Sequence, residues 1–590
     1  MKKRSQIAEK YKWDKSCLCS GDEEFEKRLE KFEKYIPLFK KFEGQLTNKK
    51  AILDYLKLDE EFAKIFEPTF LYIHMKRDEQ LDNNQSNKLY QKLVNFNTKF
   101  STETSLLSTQ LKKLPDKLLD EIISDKKFKD YKRDFEWIKK TKVHNLTDDQ
   151  EQLLSGMDFF GYSAVMRNLS DVDISFGKIC DSSGKSYSLN NSNYGTFMRS
   201  KDRTLRKQSF TVLNGTFGKY INTFTQNYIN KVKADCYFAK VRKYPSALDE
   251  ALFGEEVDKK VYQTLIEKVH ENLPVLFKFF DLKKKELGLK DFAIYDCMAL
   301  LPSKAKERYS YDEAIELLKK ALAPLGEEYV ELLQKAKDER WIDVMPSQNK
   351  RSGAYENGIY DCHPFVLTNF EGDLDSVFTL AHELGHAMHT YFSNLSQPRP
   401  TADYTIFLAE IASTTNEMLL LNYLLQNCSK KQKISLYNKL FDNVKSTIFR
   451  QTMFAEFEEI IHSLHEKGQP LTKDLLCEQY YQLNKQYFGK VKLVKEVMYE
   501  WARIPHFFSE FYVYKYATGL ICAINFANRI LSGEKDAVKD YFKFLSAGSS
   551  DGPVQILKNS GCDLESGKAY EISFDYLKTI LKDWQKEIQN

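Results

Sequence analysis

The sequence reads Thr379-Leu-Ala-His-Glu-Leu-Gly-His-Ala-Met-His389 about two thirds of the way along the chain. His382 and His386 are four residues apart, so on a helix they share one face, about one turn and roughly 6 Å of rise from each other. Asp373 or Asp375 could cap the start of such a helix. The apolar residues around the histidines recur with helical spacing, which predicts an amphipathic helix with one buried face: Val377, Leu380, Ala381, Leu384, Ala387 and Met388.

The order His-Glu-x-x-His is typical of zinc metallopeptidases, in which the two imidazoles hold the metal. The glutamate of this motif, here Glu383, acts on a water molecule and does not bind the metal. The alternative is that His382 and His386 are two core histidines on a packed helix. It is disfavoured, because buried imidazoles without partners are costly and packing does not require this grouping.

A catalytic zinc site also needs a third protein ligand and an open position for water. His389 is the nearest candidate, but about 10 Å of helical rise separates it from His382, which is too far for one ion. Glu410 lies on a second predicted helix in a small, apolar run where a solvated carboxylate would be out of place. We therefore predict Glu410 as the third ligand, with Glu417 in a supporting role.

Residues 351–370 just before the motif are rich in glycine, aromatic and β-branched residues, which predicts short strands. An exposed strand edge there could pair with an extended peptide through backbone hydrogen bonds. Gly353 would permit close approach of the two backbones, and Ala354 and Tyr355 follow it. The residues alone leave open the alternative of a hairpin that only packs.

Besides the His-Glu-x-x-His motif and the Ala409–Ser413 segment around Glu410, several further stretches of the chain resemble those of one protein family. Together these segments resemble the M3 family of zinc metallopeptidases, and within it the oligoendopeptidase F group. The resemblance covers nearly the whole chain, since it includes Tyr11–Asp14, Tyr295-Asp296, Arg351–Tyr355, Gln451–Phe457, Ile504–His506, Phe511–Gly519 and Leu545–Gly548.

The resemblance implies a mainly α fold, a helical shell around a deep channel, with a small antiparallel β element near the zinc helix. It implies one Zn²⁺ per chain, held by His382, His386 and Glu410. It also favours contact between substrate and Gly353, Ala354 and Tyr355 over the packing hairpin. The implied substrates are short unfolded peptides, because a deep channel would exclude folded proteins.

An aromatic stretch from Trp501 to Gly519 carries the remaining chemical signal. Pro505 stops one element, and we predict that Tyr512 and Tyr516 share a face of the following helix at i, i+4. The resemblance implies that His506, Tyr512 and Tyr516 contact the substrate and the tetrahedral intermediate. The alternative for the tyrosines is an aromatic stripe in the core.

The predicted function is therefore that of a zinc-dependent endopeptidase acting on short unfolded oligopeptides. In this hypothesis zinc polarises a water and the scissile carbonyl, and Glu383 is the general base. His506 and a tyrosine hydroxyl would then donate hydrogen bonds to the oxyanion. Two alternatives remain, namely a metallocarboxypeptidase and a helical peptide-binding protein that does not cleave.

The length of 590 residues predicts more than one lobe. We expect an N-terminal helical lobe over residues 1–195 and a catalytic domain over residues 196–590, with a β-hairpin at residues 174–189 just before the boundary.

The net charge is only +4, from 88 basic and 84 acidic side chains. This balance favours neither nucleic acid nor an anionic membrane as partner. A monomer is compatible with the sequence, which does not decide the oligomeric state.

The first residues, Met1–Lys12, are basic and polar and provide no apolar region of a secretory signal. No stretch approaches about 18 continuous apolar residues. The ten cysteines are scattered, without a Cys-x-x-Cys pair or a disulfide framework. We therefore expect a cytoplasmic protein with reduced thiols and a metal site without sulfur.

Overall fold

The computed structural model describes residues 1–155, 161–301 and 308–589. The fold is mainly α-helical, as predicted. The first helices, α1 to α13 in chain order, span Asp22–Glu33, Tyr35–Lys40, Lys49–Glu79, Asn84–Lys112, Asp116–Ile123, Lys132–Thr141, Asp148–Ser155, Tyr162–Arg167, Asn191–Met198, Arg203–Lys219, Ile221–Val241, Ala247–Gly254 and Lys259–Glu271. The others, α14 to α26, span Leu273–Glu286, Tyr311–Ala321, Glu327–Asp338, Leu374–Ser396, Arg399–Ala402, Ile406–Gln426, Lys430–Val444, Arg450–Glu466, Lys473–Phe488, Tyr514–Leu531, Ala537–Leu545, Pro553–Asn559 and Lys568–Gln589.

Two small sheets interrupt the helices. The first is the hairpin predicted at residues 174–189, in which β1 (Lys178–Cys180) pairs antiparallel with β2 (Ser186–Ser188). The second has the order β3-β5-β4 and consists of β3 (Ile342–Asp343), β4 (Tyr355–Asn357) and β5 (Phe365–Leu367). β4 is antiparallel to β5, which confirms the predicted element before the helix of the His-Glu-x-x-His motif. The parallel strand β3 was not predicted.

The contacts between residues divide the chain into two compact units, each built from three separate stretches. The first unit contains Met1–Val143, Lys306–Tyr423 and Arg529–Ile556. The second contains His144–Ala305, Leu424–Asn528 and Leu557–Asn590. The division of the sequence near residue 195 stays a prediction. Within residues 1–155, 161–301 and 308–589, no helix combines the length and apolar character needed to cross a membrane.

Strand β5 is anchored in the hydrophobic core of the first unit. Phe365 and Leu367 are fully buried and join a cluster formed mostly by side chains of the N-terminal helices. Tyr355 of β4 packs against the same cluster, and its hydroxyl donates a hydrogen bond to the buried carboxylate of Asp78 at 2.9 Å. The sheet therefore rests on a packed layer, and β4 lies at its edge.

A buried ion pair holds the ends of β3 and β5 together. The Lys350 ammonium, whose side chain is fully buried, lies 2.7 Å from Asp343 Oδ1. It also donates to the carbonyl oxygens of Asp343, Met345 and Thr368. Arg4 contributes a second cation at 2.6 Å from Asp343 Oδ2. Each buried charge therefore has partners, as burial requires.

We expect Lys350→Ala to lower the free energy of unfolding by about 3–5 kcal/mol, because it leaves a buried carboxylate short of one cation and three carbonyl groups short of a donor. Urea denaturation measures this effect. The matched control is Lys64→Ala, which removes a half-exposed ion pair with Glu60 and should change stability by less than about 1 kcal/mol. Equal losses in the two variants would contradict a stabilising role for the buried pair.

The prediction of reduced thiols is wrong for one pair of cysteines. Cys17 and Cys362 form a disulfide, although 345 residues separate them in sequence. Cys17 lies shortly after a 3-10 helix at Glu9–Tyr11, and Cys362 lies in the loop between β4 and β5. No local spacing could have indicated this pair, because only the tertiary fold brings the two segments together.

Candidate metal centre

Helix α17 carries the His-Glu-x-x-His motif, as predicted. Asp373 caps it, since its side chain accepts a hydrogen bond from the Ser376 backbone N–H at 2.8 Å. The six apolar residues with helical spacing are all at most 1% exposed. The helix therefore buries one face in the core and presents His382 and His386 on another, where both are partly exposed.

Helix α19 crosses α17 at very close range. A Cβ atom placed on Gly385 would lie 2.5 Å from Ser413 Cα and 2.8 Å from the Ala412 carbonyl oxygen. The side-chain amide of Asn416 donates to the Ala381 carbonyl at 3.1 Å and ties the helices together at the same crossing. The absence of a side chain at Gly385 thus allows the contact that brings Glu410 against the two histidines.

We expect Gly385→Ala to weaken metal binding and to lower stability by about 1–3 kcal/mol, because the new methyl group must push the two helices apart. Metal content after dialysis and urea denaturation measure the two effects. Gly195→Ala is the control. Gly195 also lies in a helix, but a Cβ atom added to it meets no atom within 4 Å. That variant should be unchanged or more stable by up to about 1 kcal/mol. A Gly385→Ala protein with normal metal content would contradict the role given to the crossing.

The three predicted ligands lie together. The Nε2 atoms of His382 and His386 are 3.2 Å apart, and Glu410 Oε2 is 3.3 Å from the first and 3.8 Å from the second. Donor atoms about 2.0–2.1 Å from a tetrahedrally coordinated zinc ion are roughly 3.3–3.4 Å from one another. The spacing and the chemistry of these donors therefore fit a zinc ion, and the group contains no sulfur, as predicted.

Glu417 orients the first histidine of the motif. Its Oε1 lies 2.5 Å from His382 Nδ1. Because a carboxylate accepts, Nδ1 donates this hydrogen bond, and Nε2 is the ring nitrogen that faces His386 and Glu410. Metal-binding histidines usually donate their second N–H in this way, which fixes the ring and raises its basicity. The supporting role of Glu417 in metal binding stays a prediction.

The electrostatics of the group favour one positive charge at its centre. Burial opposes protonation of His382, but hydrogen bonds with Glu410 and Glu417 outweigh burial and raise the pKa of His382 to about 10. Burial and the neighbouring His382 charge lower the pKa of His386 to about 4. The two shifts have opposite directions because adjacent imidazoles do not both take up a proton. A divalent cation can replace this single proton between the carboxylates.

Glu383 lies outside the group of three donors and lines the same cavity of about 730 Å³. It is 7% exposed, and burial raises the pKa of its carboxyl group to about 7. Neighbouring carboxylates, including Glu410, add to this effect. A carboxylate with a pKa near neutrality is suited to taking up and releasing a proton.

The edge strand β4 supplies one wall of this cavity. Ala354 and Tyr355, predicted as substrate-binding residues, line it, while Gly353 precedes the lining residues and adopts a φ of 83°. Sequence reasoning missed Glu356, which also lines the cavity and whose pKa burial raises to about 8. Glu356 Oε1 has no hydrogen-bond partner among the described atoms. A charged residue inside a predicted strand was the available signal.

Two other histidines of the first unit have structural surroundings. His389 is fully buried and stacks on Tyr404, with ring centroids 3.7 Å apart, which agrees with its exclusion as a ligand. His363 stacks on Trp341, with ring centroids 5.0 Å apart. Neither belongs to the group formed by His382, His386 and Glu410.

His506, Tyr512 and Tyr516 form a separate aromatic cluster in the second unit. The Tyr512 and Tyr516 rings are 5.4 Å apart, and His506 lies 6.4 and 5.9 Å from them. The predicted i, i+4 register on one helix is wrong, because α23 begins at Tyr514 and Phe511 adopts a left-handed φ of 46° before it. A turn, not a helix face, therefore places Tyr512 beside Tyr516.

The pattern of peptidase family M3 matches residues 196–576, and that of Oligopeptidase F matches residues 110–176. The oligopeptidase PepF of Bacillus subtilis is 36% identical to this chain, over 99% of the chain and 88% of the relative. An oligoendopeptidase F homolog of Borreliella burgdorferi is also 36% identical, over 99% of the chain and all of the relative.

Solved structures agree. A crystal structure from Chlamydophila abortus, 35% identical, superposes with a TM-score of 0.96 over 99% of this chain and 100% of that one. Oligoendopeptidase F from Enterococcus faecium, 30% identical, has a TM-score of 0.72 over 96% of this chain and 99% of that one. The helical fold and these relatives define a metalloendopeptidase. The chain belongs to peptidase family M3.

Proposed function

We propose that this protein is a zinc-dependent endopeptidase that hydrolyses short unfolded oligopeptides. In this proposal His382, His386 and Glu410 hold one zinc ion per chain. The observation that carries it is the set of distances between their donor atoms, 3.2, 3.3 and 3.8 Å, at the wall of a cavity. Two imidazole nitrogens and one carboxylate are a common donor set of catalytic zinc, which keeps a further position open.

When bound, zinc would lower the pKa of a water molecule and polarise the scissile carbonyl. Glu383 takes the proton of the attacking water and later delivers it to the leaving amine. A neighbouring cation favours the charged form of a carboxyl group, so a bound zinc ion would lower the pKa of Glu383 below the value of about 7 that burial gives. Glu383 would then be ionised at neutral pH and able to accept a proton.

The edge of β4 is the proposed binding surface for the peptide backbone. Among the described strands, β4 pairs with β5 alone, so its other edge is available for an added strand. The residues Gly353, Ala354 and Tyr355 would contribute backbone groups, since the Tyr355 hydroxyl is engaged by Asp78. Recognition through backbone hydrogen bonds would hold peptides of many sequences.

His506, with Tyr512 or Tyr516, is proposed to donate hydrogen bonds to the oxyanion that develops on the scissile carbonyl. Support comes from the family resemblance and from the close packing of the three rings. Burial lowers the pKa of His506, which favours its neutral form, with one N–H to donate. Loss of one such donor typically costs about 3–4 kcal/mol of transition-state stabilisation.

The preference for short peptides is also part of the proposal. It is supported by the relatives named oligopeptidase and oligoendopeptidase. A deep channel, a cytoplasmic location and a monomeric state stay predictions.

The test is incubation with a quenched peptide of about ten residues that is blocked at both ends. An endopeptidase cleaves it internally, loses activity with a chelator and regains it with Zn²⁺. A metallocarboxypeptidase would require a free C-terminus and would leave the blocked peptide intact. A non-cleaving binding protein would bind the peptide without forming product, and either result would overturn the proposal.

A further inference from the structure

A second group of metal-ligating side chains contains no residue of the His-Glu-x-x-His helix. In the part of the chain that the structure describes, two groups of donors have suitable spacing, and the second consists of Cys17, Cys362 and His363. Their donor atoms all lie within 4.8 Å of one another. Cys17 is exposed and the other two are partly exposed, so an ion in solution can reach them.

His363 is held in an orientation that suits a metal ligand. Its Nδ1 lies 2.9 Å from the Pro364 carbonyl oxygen. Because a carbonyl oxygen only accepts, Nδ1 carries the proton and Nε2 keeps its lone pair. That Nε2 lies 3.9 Å from Cys17 Sγ. Metal-binding histidines are typically oriented by such an outer hydrogen bond.

Aromatic packing fixes the same ring. The imidazole of His363 stacks on Trp341 with centroids 5.0 Å apart and planes at 4°, and its centroid lies 4.4 Å from that of Phe365. The neighbouring Phe365 belongs to the buried strand β5. The nitrogen ligand is therefore pre-positioned by the core, while the exposed Cys17 side chain can rotate once the disulfide is reduced.

We propose that Cys17, Cys362 and His363 form a redox-gated binding site for a second Zn²⁺ ion. In the disulfide form the two sulfurs are bonded to each other and hold no ion. In the dithiol form two thiolates and one imidazole bind zinc, with a fourth position left to water. Sulfur and imidazole nitrogen are established zinc ligands, and sulfurs bound to one zinc ion lie roughly 3.8 Å apart, which rotation of the Cys17 side chain can provide.

A monothiol reductant converts the disulfide form of the site into the dithiol form. Two molecules of a monothiol reduce the disulfide, forming one intermolecular disulfide of the reductant and two protein thiols. Binding of zinc then releases the two thiol protons to solvent. In both forms the N-terminal segment stays joined to the loop between β4 and β5, through a sulfur–sulfur bond or through the ion. Gly358, Ile359 and Tyr360 of that loop line the cavity beside His382, His386 and Glu410, the group called the first centre below.

Cobalt distinguishes this site from the first centre, because thiolate ligands give Co²⁺ an intense near-ultraviolet charge-transfer absorption and the His382 group contains no sulfur. The experiment titrates Co²⁺ into Glu410→Ala protein, in which the first centre is disabled. One sample is first reduced with a monothiol, which is then removed without air, and the other is left as the disulfide. We expect the band and about one cobalt ion per chain only in the reduced sample.

Two further variants complete the test. Cys17→Ser in the same background should lose the band, whereas Cys180→Ser, a partly exposed cysteine on β1, should keep it. Unaltered protein should bind about two Zn²⁺ ions when reduced and one when oxidised. A reduced protein without the thiolate band, or a Cys17→Ser protein that retains it, would overturn the proposal. Neither result depends on peptide hydrolysis at the first centre.

Discussion

Glu383→Gln is expected to lower kcat by about 10²- to 10⁴-fold while leaving the metal content unchanged. Glutamine has the size of glutamate, but its amide cannot take the proton of the attacking water. The metal should stay, because Glu383 lies outside the group of three donors. The loss should appear in kcat more than in KM, since the proton transfer belongs to the chemical step.

Steady-state cleavage of the blocked peptide and elemental analysis of the same samples measure the two quantities. Glu371→Gln is the matched control, because Glu371 is an exposed glutamate just before the same helix. That variant should retain full activity. A Glu383→Gln enzyme with near-normal kcat would remove Glu383 from the role of general base.

Glu410→Ala is expected to abolish hydrolysis by removing the metal itself. Glu410 Oε2 is the only carboxylate oxygen in the three-donor group, and its loss leaves two imidazoles on one helix. Two ligands hold zinc far less tightly than three, so the ion should dialyse away. Competition with a chromogenic chelator gives the dissociation constant for zinc.

Glu417→Ala provides the comparison, because Glu417 contacts His382 Nδ1 from outside the group. Loss of such an outer partner typically weakens metal binding or activity by about 10–100-fold. Glu410→Ala should therefore have the larger effect of the two. Equal zinc affinity in Glu410→Ala and unaltered protein would show that the third ligand is another residue.

The sequence was sufficient to predict features that depend on local pattern. The apolar spacing around His382 predicted the helix that carries the His-Glu-x-x-His motif, because helical periodicity determines which side chains share a face. The isolated Glu410 in an apolar run indicated that its carboxylate has partners, and the structure places it beside His382 and His386. The glycine, aromatic and β-branched residues of the 351–370 stretch predicted the strands β4 and β5.

Features that depend on distant contacts could not be predicted. The Cys17–Cys362 disulfide joins segments 345 residues apart, and the parallel strand β3 pairs with β5 only because the fold brings them together. The predicted helical position of Tyr512 was wrong because nothing in the sequence signals the left-handed backbone of Phe511. The Phe511 N–H donates a hydrogen bond to the buried Glu458 carboxylate. Such positions are set by tertiary partners and not by local preference.

X-ray diffraction on both sides of the zinc absorption edge, in crystals of the disulfide form grown with zinc, shows whether His382, His386 and Glu410 together hold one zinc ion. We expect one anomalous peak, about 2.0–2.2 Å from the two Nε2 atoms and from Glu410 Oε2. A peak that lacks Glu410 as a ligand, or zinc found only elsewhere in the molecule, would contradict it.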